Sequence, residues 1–289
     1  MLSSLYSLGC PVWSCPHWRG SVYSTKAPKT KWLNHYSTVF NTVEGNSTFY
    51  GIPAPETFQR WADQTAEGFR FALKFPRSIS HEAQLVGAEA PTQQFLSGLN
   101  ILKQANRLGL TFLQLSPNFS PVGFSALESY LRSLPTEMPF AVEVRHSDWF
   151  AEPAESRLNS LLRELRMDRV IFDSRPLYAS PPSTQAEHIS QTRKPKISLR
   201  TDVTSDFPML RLVGRDDVSL VEPWINEWVP IVAGWIEQGL HPFVFTHTPN
   251  DQFAPELARD FHNALAKAIK QLEPLDQWPF EQPKQQSLF

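Results

Sequence analysis

The chain has 289 residues, 41% of them hydrophobic, with 20 Phe and 9 Trp, enough to bury a large core and to suit one ring-shaped α/β unit. A formal net charge of −2 excludes a protein that coats nucleic acid by bulk charge, though it leaves room for a local basic groove. Cys10 and Cys15 are too few for a disulfide framework, and no second pair completes a zinc knuckle. The first residues lack the basic and apolar regions of a signal peptide, and no run approaches the roughly 18 apolar residues of a membrane span, so a cytoplasmic protein without membrane contact is expected.

In chain order, eight segments read as strands: LYSLGCPVW, STVFNTVEG, FRFALKF, LTFLQLS, FAVEVR, RVIFDS, PMLRLVG and HPFVFTH. Helical patterns lie between them. APETFQRWADQT places Pro55 in a first turn, with Phe58 and Trp61 three apart. PTQQFLSGLNILKQANRLG carries Phe95, Leu99, Leu102 and Leu108 at helical spacing and closes on Gly109, read as a C-cap. SALESYLRSL, AESRLNSLLRELRM, VPIVAGWIEQG and PELARDFHNALAKAIKQL follow the same logic, the last with Leu257, Phe261, Leu265 and Ile269 at steps of four. Repeated strand-then-helix units predict an α/β fold, a single TIM-type (β/α)8 barrel over residues 1–273. An open doubly wound sheet is the alternative, but it calls for a glycine-rich first turn, and the sequence contains no G-x-G-x-x-G and no Walker loop.

Two segments break the alternation. Residues 174–207 form a long polar loop between the sixth and seventh strands, of the length that is usually functional or mobile. Residues 274–289 form a Pro- and Gln-rich tail outside the barrel.

Parallel barrels place their sites at the C-terminal strand ends, so the polar residues there are the candidates. The second strand ends on Glu44 and Asn46, followed by Phe49 and Tyr50; the third carries Lys74, with His81 beyond it. Gln114 ends the fourth, and Glu143 and Arg145 the fifth, before His146, Asp148 and Trp149. Asp173 and Arg175 end the sixth, Arg211 lies in the seventh, and His247 closes the eighth. Singly, each has a structural explanation: a satisfied amide, a salt bridge within a strand, a packed indole. Together they place ionisable groups at one rim of most strands, where a scaffold alone would carry apolar or small side chains. Arg and Lys suit a phosphate or carboxylate, and Glu, Asp and Asn suit hydroxyls, so a small anionic, hydroxyl-rich ligand is expected.

The stretches NTVEGNSTFYGIPAPETFQRW, FRFALKFPRSISHE, LQLSPNF, AVEVRHSDWF and VIFDSRP closely resemble the YecE-like family, long labelled a domain of unknown function. The resemblance implies a TIM-type barrel and no settled activity. It carries over Glu44, Asn46, Thr48, Phe49, Tyr50, Lys74, His81, Gln114, Glu143, Arg145, Trp149 and Asp173. Where much of the family has an Asn-Asn pair after the last strand, this chain has FTHTPND, which puts His247 and Asn250 there.

Three functions follow. The first is a metal-independent enzyme. Glu44 and Glu143 act as acid and base, with Glu44 the protonated partner and Glu143 kept ionised by Arg145, and Asp173 and His247 are further catalytic candidates. Lys74, Arg145 and Arg211 hold the anion, and Asn46, Phe49, Tyr50, His81, Gln114 and Trp149 line the pocket. The second is a divalent-metal hydrolase or isomerase using Glu44, Glu143, Asp173 and His247 as ligands, by analogy with apurinic endonuclease and xylose isomerase barrels. The third is a non-catalytic nucleic-acid or ligand-binding protein, with Arg77, Arg145, Arg175, Arg211 and the TRKPK run at 192–196 on phosphates.

Overall fold

A computed structural model describes residues 2 and 4–281. Among these residues, eight strands alternate with helices. The first half runs β1 (Ser7–Gly9), α1 (Trp32–Val39), β2 (Thr42–Gly45), α2 (Ser47–Tyr50), α3 (Pro55–Gln64), β3 (Arg70–Leu73), α4 (Glu89–Gln104), β4 (Thr111–Gln114) and α5 (Phe124–Arg132). The second half runs β5 (Phe140–Glu143), α6 (Ala154–Leu165), β6 (Asp168–Asp173), α7 (Arg175–Tyr178), α8 (Gln185–Arg193), β7 (Met209–Val213), α9 (Glu222–Glu237), β8 (Phe243–His247) and α10 (Ala254–Ala268).

The class is α/β with a parallel, curled sheet. Six strands form one ladder in the order β1-β8-β7-β6-β5-β4, and β2 pairs with β3 alone. The ladder is therefore not the unbroken ring of eight that the sequence pattern predicts. Backbone hydrogen bonds still reach across the two gaps: Glu44 N–H to the Cys10 carbonyl (3.0 Å) at the first, and Phe71 N–H to the Arg107 carbonyl (2.8 Å), Gly109 N–H to the Phe71 carbonyl (2.9 Å) and Phe75 N–H to the Phe112 carbonyl (3.0 Å) at the second. At the first gap only a glycine fits, because a Cβ on Gly9 would lie 2.2 Å from the Thr42 carbonyl oxygen.

Side chains alternate across each strand. Outward residues such as Leu8, Val43, Leu113, Val142, Ile171, Leu210 and Val244 join the main core under the helices. The inward set forms a separate cluster of Ala72, Leu110, Phe112, Ala141, Val170, Met209, Phe243 and Phe245. Two steps beyond Ala72, Phe112, Ala141, Met209 and Phe245 on the same face come Lys74, Gln114, Glu143, Arg211 and His247. The inner face thus carries an apolar layer capped by a polar one.

Three sequence expectations are corrected. In STVFNTVEG only Thr42–Gly45 is strand. Ser37–Val39 belongs to α1, whose buried Trp32, Leu33, Tyr36 and Val39 repeat at helical, not strand, spacing. Gly109 is not a C-cap: α4 ends at Gln104, and Asn106 takes the left-handed turn (φ +54°). Gly109 instead leaves room for the Arg70 Cβ and the Phe71 carbonyl, each 3.0 Å from where its own Cβ would be. The 174–207 segment is not an open loop. It holds α7, entered by Pro176, and α8, capped by Thr184 Oγ1, which accepts from Glu187 N–H (3.1 Å). Buried Glu187 also pairs with Arg215, fastening the segment to the end of β7.

In the tail, residues 274–281 dock on the body: Trp278 is buried beside Phe40, and Phe280 stacks on His35 with centroids 4.5 Å apart. Residues 282–289 lie outside the described residues. Cys10 and Cys15 are both free and buried. Among the described residues no helix is long and apolar enough to cross a membrane.

Candidate functional site

Arg211 organises the polar layer. Its Nε and Nη2 donate to the two oxygens of Glu44, each at 2.7 Å, and its Nη1 donates to Glu143 Oε2. Phe112 and Phe172 hold the guanidinium, with ring centroids 5.3 and 5.4 Å away. Arg145 Nε donates to the other oxygen of Glu143 (2.7 Å). Asn46 Nδ2 donates to Glu44 Oε1 (2.8 Å), and His247 Nε2 lies 3.1 Å from Glu44 Oε2. The network Asn46–Glu44–Arg211–Glu143–Arg145 thus joins β2, β5 and β7, with Glu44, Glu143, Arg211 and His247 all buried.

The electrostatics follow from who holds which carboxylate. Burial pushes Glu44 up, but Arg211 and then His247 outweigh it and leave its pKa well below the usual carboxylate range. Burial opposes Glu143 too, and Arg211 and Arg145 bring it down to about 2. Glu44 is therefore not the protonated acid the sequence predicts; both glutamates are ionised. Burial lowers His247 to about 4, so near neutral pH it is an uncharged imidazole whose Nε2–H donates to Glu44. A carboxylate accepts about four hydrogen bonds. Glu44 is full, whereas Glu143 holds one guanidinium N–H on each oxygen and keeps acceptor capacity.

Lys74 lies beside this network with a different fate. It is 7% exposed, and its Nζ sits 3.8 Å from the Phe49 ring centroid. Among the described residues it makes no ion pair; Glu44 and Glu143 are paired with arginines instead. Burial first, then Arg211 and Arg145, lower it to about 7. Phe49 meets His81 edge-on at 5.0 Å, and burial with Lys74 holds His81 down to about 4. Gln114, in register with Glu143, is buried with its side-chain oxygen unpartnered among the described residues.

Other expected site residues are placed elsewhere. Asp173 is buried, but Arg175 and the Trp228 indole fill its acceptor positions: two bonds at 3.0 Å and two at 2.8 Å. Trp149 is fully buried, packs on Phe124, and donates its indole N–H to the Phe119 carbonyl (2.8 Å), so it belongs to the core and not to the rim. Trp149→Phe is expected to cost about 1–2 kcal/mol through that lost hydrogen bond, read from denaturant unfolding, with anion affinity unchanged; a tenfold affinity loss would return Trp149 to the site. Tyr50 is 77% exposed and touches Phe49 only edge-on. Arg211 is committed to carboxylates and is not the free anion binder expected. Arg77 pairs with Glu82, and Arg175 with Asp173 and Glu227, so the expected basic groove is largely neutralised. Exposed Asn250 accepts the backbone N–H of Gln252 (3.1 Å). Among the described residues no group of three or more His, Cys, Asp or Glu side chains comes together to hold a metal; Arg211 separates Glu44 from Glu143.

Two residues were not singled out by the sequence reading, Lys194 only as part of a basic run and Asp251 not at all. Lys194, inside TRKPK, is half-buried while Arg193 and Lys196 are exposed. Burial, then Arg211, lower it to about 8, against the pull of Asp251 and Glu44. Asp251, in the left-handed region (φ +61°) after β8, is raised to about 6 by burial and feels Lys194, Glu44 and Arg211. Both therefore lie within electrostatic reach of the network. The aspartate's left-handed backbone, a conformation in which Asp and Asn are enriched, is visible only in the structure.

Residues 7–284 match the family described as protein of unknown function DUF72. The chain is 37% identical over 284 residues to UPF0759 protein YecE of Escherichia coli K12, covering 98% of this chain and 99% of that protein. It is 26% identical over 150 residues to UPF0759 protein YunF of Bacillus subtilis 168, about half of each chain (50% and 52%). Crystal structures of DUF72 family proteins share the fold. That from Enterococcus faecalis superposes with a TM-score of 0.68 at 19% identity, covering 93% of this chain and 98% of that one. That from Thermotoga maritima gives 0.65 at 23% identity, over 89% and 97%. With this match along nearly its whole length, the chain belongs to the DUF72 family, the UPF0759 YecE-like proteins of unknown function.

Proposed function

We propose that this protein is a metal-independent enzyme acting on a small anionic, hydroxyl-rich molecule at the C-terminal rim of the sheet. In this reading the eight strands work as one barrel, the hydrogen bonds across its two gaps completing the wall. Arg145, Lys194 and Lys74 face the anionic group, the amide of Gln114 and the open acceptor positions of Glu143 take hydroxyls, and Glu44 with His247 positions Arg211. The observation that carries it is the pair of lysines without ion-pair partners among the described residues, Lys74 and Lys194, beside two arginines whose carboxylates are already engaged. Unbalanced cations in a partly desolvated site favour an anion. Turnover is favoured over plain binding because Lys74 at about 7 and Asp251 at about 6 both exchange protons near neutral pH.

Thermal unfolding with inorganic phosphate, glycerol phosphates and sugar acids tests the reading. A binding anion at ten times its Kd should stabilise the protein by about 1.4 kcal/mol. The Arg145→Ala, Lys194→Ala double variant should weaken that Kd by about tenfold or more. If no small anion stabilises the protein and an oligonucleotide does so with steep salt dependence, the nucleic-acid reading replaces this one.

A further inference from the structure

We propose that Lys74 is a nucleophile that forms an imine with an aldehyde or ketone carrying a carboxylate or phosphate. The inference rests on the anion-site reading above and adds the chemistry of that site. Lys74 is the one buried lysine among the described residues; Lys26, Lys29, Lys31, Lys103, Lys196, Lys267 and Lys270 are exposed, and Lys194 is half-buried. An ammonium meant to bridge Glu44 and Glu143 would sit between them. Here Arg211 takes both, Arg145 takes the second again, and the lysine is left under Phe49 with no ion-pair partner among the described residues. Desolvation and adjacent cations are the two conditions that activate a lysine amine at neutral pH. Both hold here, and about half of the Lys74 population is free amine near pH 7.

The step balances without a redox partner. The Nζ lone pair attacks the carbonyl carbon, a C–N bond forms, and the carbonyl π pair moves to oxygen, which takes a proton as nitrogen loses one. The C–O bond of the carbinolamine then breaks, its oxygen leaving as water with a second proton, the one that the ammonium gave up to solvent in becoming the free amine, and the nitrogen lone pair closes the C=N bond. The resulting iminium is a cation, as the ammonium was, so ionised Glu143 stabilises it, while Arg145 and Lys194 hold the anionic group. Neither glutamate competes as a protonated acid, since both stay ionised.

The experiment is borohydride reduction of the full chain near neutral pH with pyruvate and, separately, with dihydroxyacetone phosphate, followed by intact mass and peptide mapping. The expected result is about one reduced adduct per chain on Lys74, lost in Lys74→Arg and in Lys74→Met, with circular dichroism confirming that both variants fold. Adduct no higher than in these variants, adduct on Lys194, or label spread over exposed lysines overturns the proposal. Thermal shift with inorganic phosphate on the same preparation separates the two ideas. Stabilisation without adduct keeps the anion site and removes the imine. Adduct without stabilisation keeps the imine and removes the general anion site. Neither signal removes both.

Discussion

Arg211→Ala should destabilise the protein by about 3–5 kcal/mol, the usual cost of removing one partner from a buried ion pair. The cause is less the lost attraction than the charges left behind. Glu44 is fully buried, and without Arg211 it keeps only Asn46 and a neutral imidazole. Glu143 keeps Arg145 alone. Arg211→Lys should lose less, since charge remains while the two-pronged contact with Glu44 goes. Adding Glu44→Gln to Arg211→Ala should restore part of the loss, because the uncompensated carboxylate is then gone. Urea midpoints of the four proteins measure this; a loss under about 1 kcal/mol would mean that water screens the network as it does surface pairs.

The pH dependence has a definite sign. Both glutamates have depressed folded pKa values, so their contribution is present above the unfolded carboxyl pKa of about 4.3 and is lost as pH falls toward the folded value, about 2 for Glu143. His247 acts in the same direction earlier: its folded pKa is about 4 against 6.5, so the unfolded chain takes up a proton first and stability falls between those values. In Arg211→Ala, burial is opposed at Glu44 only by Asn46 and a neutral imidazole, so its pKa should rise above that of the unfolded chain, while Glu143, still paired with Arg145, should rise less. The deficit relative to the parent should therefore be largest near neutral pH and shrink on acidification.

Half of this network could be read from the sequence, and the reason is local. A charge inside an apolar strand of alternating pattern is conspicuous, so Glu44, Lys74, Glu143, Arg211 and His247 stood out, and the strand ends put them at one rim. The Glu143–Arg145 pair, two residues apart on one strand, was legible too, but the chain does not spell out which pairs form between strands. Arg211 meets Glu44 across 167 positions and Glu143 across 68, and only the assembled sheet brings those rows into register. For that reason Glu44 looked like a free acid and Arg211 like a free anion binder. Trp149 and a stacking indole look alike in sequence; burial and an indole hydrogen bond distinguish them. Lys194 lay inside a basic run whose neighbours Arg193 and Lys196 do face solvent, directly after α8. The two gaps in the ladder had no local signal beyond Gly9.

Lys74→Met should stabilise the protein near neutral pH by about 2–4 kcal/mol, an unusual direction for a buried substitution. Methionine fills a similar volume and needs no counter-ion. The native lysine has a folded pKa of about 7 against 10.5 in the unfolded chain. The unfolded state then binds more protons throughout that interval, so the lysine destabilises the fold at pH 7, and the penalty fades as pH rises toward 10.5. Losing the contact with Phe49 offsets about 0.5–1 kcal/mol of the gain. Parent and variant should accordingly draw together in denaturant midpoint as pH rises from 7 and converge only near pH 10.5, where the lysine is losing its proton in the unfolded chain as well. A variant no more stable than the parent at pH 7 would show that Lys74 is solvated or paired after all, and the strain attributed to it would vanish. A stabilised variant that has also lost adduct formation would identify the lysine as a group kept at a cost to the fold, as expected where a buried charge serves chemistry instead of packing.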